Sequence, residues 1–60
     1  MIIIKAEMTE EQAEALSQFL KRIGWNEYRE LATNDEDAYN MRDAGEILRT
    51  SLANAGFAPR

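Results

Sequence analysis

Sixty residues, with seven basic and eleven acidic side chains, a net charge of −4 and 45% apolar content, allow one small domain and no second one. There is no cysteine and no histidine, which removes disulfides, the common zinc ligands and the nucleophile–base pairs built on either residue. An acidic balance argues against a phosphate-neutralising face. The longest apolar stretch, Met1–Ile4, is too short for a bilayer span or a signal-peptide core, so a cytoplasmic protein with no membrane segment is expected.

A chain this short buries only about 60% of the surface its unfolded form exposes, so its stability is marginal unless something staples it. With disulfides and metal removed, efficient helix packing or a second chain remains. The apolar fraction is ordinary for a globular domain and no low-complexity run is present, which excludes disorder of the whole chain.

The β-branched run Met1-Ile-Ile-Ile-Lys5 predicts a short N-terminal strand. Alternation places Ile2, Ile4, Ala6 and Met8 on one face, and Ile3, Lys5 and Glu7 on the other. Nothing else in the sequence reads as a strand, and a lone strand leaves both edges unpaired. The simplest partner is the same strand from another copy across a two-fold axis, which makes Ile2, Ile3 and Ile4 the self-association residues of a homodimer. The other reading is an apolar arm that packs on the helices without pairing.

A first helix begins at Thr9-Glu10-Glu11-Gln12, a capping box in which the Thr9 hydroxyl and the Gln12 side chain satisfy each other's free backbone N–H groups. Glu10 and Glu11 suit the positive end of the helix dipole, and Lys21 and Arg22 suit the negative end. Ala13, Leu16, Leu20 and Ile23 form the apolar stripe, widened by Phe19. Gly24 is expected as the left-handed residue that ends this helix, with Trp25 folding back over its end.

A short second helix is expected from Asn26 to about Ala32, capped by Asn26, with Tyr28, Leu31 and Ala32 on one face. Thr33-Asn34-Asp35-Glu36-Asp37 interrupts the pattern and opens the last helix. Its three carboxylates suit a helix N-terminus rather than a metal, because the spacing of a calcium-binding loop is missing.

The last helix is predicted over Asp35–Ala55, with the stripe Ala38, Met41, Gly45, Leu48, Leu52 and Ala55. Gly45 costs up to about 1 kcal/mol in a helix interior, and its benefit there is the close approach of another backbone. Arg42 and Glu46 lie one turn apart, as roughly do Glu46 and Arg49. Gly56 ends the helix, Phe57 packs back over it and Pro59 prevents its resumption.

The architecture expected is therefore mainly α: a short N-terminal strand, then two long helices with a short one between them, as a homodimer. No catalytic residue, cofactor site or metal site emerges. Ser17 and Ser51 lie inside helices without a nearby base, and the three glycines are isolated rather than gathered in a phosphate loop. Binding is the chemistry left.

Interfaces favour Trp, Tyr and Arg as anchors, and Trp25, Tyr28 and Tyr39 lie near Arg29 and Arg42 in the middle of the chain. Trp25 and Tyr28 also suit the end of a small core. Tyr39 sits beside the apolar stripe, so the exposed face Tyr39-Arg42-Asp43-Glu46, with Tyr28 and Arg29, is the candidate partner-binding surface. A ribbon-helix-helix DNA regulator has the same strand–helix–helix order, but Ile3, Lys5 and Glu7 would be its outward strand residues. These make poor base readers, and nucleic acid is an unfavoured partner.

The segments Gln18–Gly24, Ala38-Tyr39, Met41–Glu46 and Ala55–Arg60 resemble those of short phage and prophage proteins of unassigned role. The resemblance covers most of residues 9–60 and brings no catalytic residues with it. It implies a small inhibitor of the anti-CRISPR kind, which acts in a host bacterial cell by stoichiometric binding to a host protein or protein complex.

Overall fold

The computed structural model describes residues 1–58 and contains three helices: α1 (Glu10–Arg22), α2 (Trp25–Leu31) and α3 (Asp35–Asn54). The two long ones, α1 and α3, form where a side-chain cap and a helical apolar period coincide. At the start of α1, the Gln12 N–H donates to Thr9 Oγ1 at 3.1 Å and the Thr9 N–H donates to Gln12 Oε1 at 2.9 Å. The capping box is complete.

At the start of α3, the Asp37 N–H donates to Asn34 Oδ1 at 2.8 Å. Asp37 Oδ2 accepts from the Thr33 N–H at 3.1 Å, so this acid closes the turn before the helix. Asp35, Glu36 and Asp37 occupy the first turn of α3. Their carboxylates meet the positive end of the helix dipole there.

The end of α3 follows the expected motif closely. Gly56 has φ +99°, the Phe57 N–H donates to Leu52 O at 2.9 Å and the Gly56 N–H donates to Ala53 O at 3.0 Å. This is the Schellman pattern, and it carries the Phe57 ring back against the core. Pro59 lies outside the described residues.

No strand forms among the described residues. Ile2, Ile3 and Ile4 are 89, 87 and 82% exposed, so the N-terminal segment neither pairs nor packs at its tip. The physical reason is that β-branched residues favour extended backbone, but a strand needs a neighbour for its N–H and C=O groups, and an all-helical domain offers none. The strand expected at Met1–Lys5 is therefore absent, and Ile2, Ile3 and Ile4 form an exposed arm instead. Only residues 6–8 reach the helices, where Ala6 and Met8 join Ala13, Leu52, Ala55 and Phe57 around a groove of about 410 Å³.

The α1–α2 junction also departs from expectation. Gly24 adopts extended backbone (φ −108°, ψ 176°) and serves as the N-cap of α2, while Ile23 ends α1. The Glu27 carboxylate explains the change: its Oε2 accepts the Gly24 N–H at 3.2 Å, which starts α2 at Trp25 instead of at Asn26. Trp25 is thus the first residue of a helix and not a lid on the preceding one. Leu31, expected on a buried face, is largely exposed.

The core is small and made largely of small residues. Ala13, Ser17, Leu20, Ala38 and Leu52 are buried, and Leu16 and Phe57 pack against this group. The Ser17 hydroxyl donates to Glu14 O at 2.9 Å, so it enters the interface without an unpaired polar atom. Ala13 groups with Leu52, and Leu20 Cδ2 lies 3.7 Å from where a Cβ on Gly45 would stand, so α1 and α3 run antiparallel. The heptad stripe of α3 is only half buried: Ala38 and Leu52 are inside, whereas Met41, Leu48 and Ala55 retain substantial exposure.

Candidate interaction site

Gly45 faces the interior, where α1 and α2 approach it. The closest neighbour is the Tyr28 ring, whose Cζ would lie 3.2 Å from an added Cβ and whose hydroxyl would meet that atom directly. The close approach that a glycine was expected to permit is made by a tyrosine side chain rather than by backbone. Tyr28, partly buried, is in this way the residue that seats α2 on α3.

Once α2 is fixed, Trp25 lies over α3. The Trp25 and Tyr39 rings are 4.7 Å apart between centroids and tilted by 34°. The Arg42 guanidinium carbon sits 5.7 Å from the Trp25 centroid and 5.1 Å from the Tyr39 centroid, within cation–π range of both. Arg42 Nε and Nη2 donate to Asp43 Oδ1 at 3.3 and 3.1 Å. One cation is thus held by two ring faces and a carboxylate.

Three of the predicted residues come together: Tyr39, Arg42 and Asp43. Glu46 instead pairs with Arg49 at 3.8 Å, one turn further on. Arg29 forms an ion pair with Asp35 at the opening of α3, one turn along α2 from Trp25 and one turn along α3 from Tyr39. Trp25 is the member that sequence reasoning placed elsewhere. Its proximity to Tyr39 depends on how α2 crosses α3, and no local spacing encodes that.

Trp25 is 37% exposed and Tyr39 49%, so the stack stays open to a ligand. Each contact within it is modest in strength. A cation–π pair at an exposed site contributes about 0.5–1 kcal/mol, and a surface ion pair about 0–1 kcal/mol. Together they hold a long side chain in one rotamer before any partner arrives, which lowers the ordering cost of binding. The surface offers aromatic area and guanidinium N–H donors. Among the described residues it contains no thiol, imidazole or aligned base, and no group of three acidic residues is placed to hold a metal ion.

These features define a small three-helix domain with an open aromatic–guanidinium stack on one edge. The chain belongs to DUF7706, a family of unknown function, whose profile matches residues 1–60. No curated protein and no solved structure matches it. Among the described residues, no helix is long and apolar enough to cross a membrane.

Proposed function

We propose that this chain is a non-catalytic binding protein that grips a protein partner through Trp25, Tyr39 and Arg42. The observation that carries this reading is the position of Arg42 over both rings while all three side chains remain accessible. Binding energy at protein interfaces concentrates in a few Trp, Tyr and Arg residues, and this chain holds one of each in a single prearranged, open group. Net charge adds a direction: at −4, the chain attracts partners with basic surface at long range.

The concrete version is stoichiometric inhibition of a bacterial defence complex, of the anti-CRISPR kind, in the cytoplasm of a host cell. It draws on the likeness of Gln18–Gly24, Met41–Glu46 and Ala55–Arg60 to short phage proteins. Expression in a bacterium with active CRISPR interference tests it. Phage plating should recover by orders of magnitude with the wild-type chain, and Arg42→Glu or Trp25→Ala should abolish the recovery while leaving helicity intact. Recovery that survives both substitutions removes this face from the mechanism. Absence of recovery across several defence types removes the inhibitor reading.

A further inference from the structure

The edge of the domain opposite the aromatic stack is apolar and unpartnered. At 3.6 residues per turn, Arg42 and Tyr39 lie about 60° and 120° round α3 from the inward-facing Gly45, whereas Met41 and Leu48 lie about 40° and 60° round the other way. Because α1 runs antiparallel, the same sense of rotation from Leu20 brings Leu16, Phe19 and Ile23 to that same second edge. Phe19 is 56%, Leu48 41% and Met41 37% exposed. The groove between Met8, Ala55 and Phe57 continues the surface at the far end of α3, and the Met1–Ile4 arm leaves from there.

We infer that this edge, together with the Met1–Ile4 arm, is an isologous interface with a second copy of the chain, packed helix on helix with the arms lying across the partner and no strand pairing. Two observations favour a second copy over any other occupant. First, the accessible surface is 5177 Å², against about 4,000 Å² expected for a folded monomer of this mass. That excess, about 1,200 Å², exceeds the roughly 800 Å² each partner loses in a standard interface.

Second, the deficit belongs to folding itself. Among the described residues only two large apolar side chains, Leu20 and Leu52, are buried, and the sequence has no cysteine from which a compensating disulfide could form. A partner that supplies the missing burial must be present whenever the chain is folded, and only another copy always is. The net charge of −4 on each copy opposes their approach at long range, so the apolar burial has to outweigh it; the edge carries no acidic residue near its centre to add to that cost.

Sedimentation equilibrium of the full chain at micromolar concentrations tests the proposal. Twice the chain mass is expected, with a melting temperature that rises with protein concentration. Leu48→Glu should raise the dissociation constant at least about 100-fold, since each copy would bury an unpaired carboxylate. Ile3→Asp, which touches no part of the fold, should weaken association without changing helicity. Arg42→Glu, on the opposite edge, should leave the dimer intact. A wild-type chain that is monomeric and fully helical with a concentration-independent melting temperature overturns the proposal. So does a dimer indifferent to both Leu48→Glu and Ile3→Asp.

Discussion

The Tyr28 ring occupies the space above Gly45 that a side chain at that position would need. Placing a glycine in the middle of a twenty-residue helix forgoes about 1 kcal/mol of helix propensity. The return is the seating of α2, and with it the meeting of Trp25 with Tyr39 and Arg42. A feature that weakens one helix locally thus assembles the recognition surface.

Gly45→Ala should destabilise the domain by about 1 kcal/mol even though alanine is the better helix former. Overpacking a fitted site costs about 1–3 kcal/mol, which outweighs the propensity gain. Chemical denaturation of Gly45→Ala, Tyr28→Phe and the double variant measures the coupling. The double variant should be more stable than the sum of the two single changes predicts, because removal of the Tyr28 hydroxyl relieves the closest contact. Additive effects would show that the ring swings away freely.

Leu52→Ala should cost about 2–5 kcal/mol, since Leu52 is one of two large side chains buried in the core. A domain of this size has little more stability than that in total, so the variant should be largely unfolded near room temperature. Leu48→Ala removes the same atoms from a half-exposed position and should be much milder. Equal losses at the two sites would mean that Leu48 is as buried as Leu52 under the conditions of measurement.

Removing a cap should act locally and at a known scale. Thr9→Ala removes the acceptor of the Gln12 N–H while keeping the backbone half of the capping box, and Asn34→Ala leaves the Asp37 N–H without its acceptor, each at a cost of about 1 kcal/mol. Hydrogen exchange should show the loss concentrated in the first turn of α1 or of α3 respectively.

Trp25 is the only tryptophan, which makes the stack visible by fluorescence. Arg42→Ala should shift the emission to longer wavelength as water replaces the guanidinium, while stability falls by no more than about 1 kcal/mol. An unchanged spectrum would mean that Arg42 does not rest on the ring in solution.

Much of the secondary structure was legible in the sequence. Thr9 with Gln12, Asn34 with the acids that follow it, and Gly56 with Phe57 are each motifs complete within about five positions, and each formed as read. The departures have two origins, one tertiary and one local. The isoleucine-rich start was read as a strand from its own propensity, but a strand depends on a neighbour that this helical chain lacks. Gly24 was read as a left-handed stop, but the Glu27 carboxylate drew it into the next helix. Tyr39, Arg42 and Asp43 were identified as a surface, whereas Trp25 was assigned to a helix end.

The sequence alone determined where α1 starts and where α3 starts and stops, because caps, dipole charges and apolar period act between residues a turn apart. The tertiary structure decided which side chains meet across helices: Tyr28 on Gly45, Trp25 on Tyr39 and Arg42. Those encounters depend on interaxial angle and on how much space small residues leave, and these are set by the packing of all three helices together.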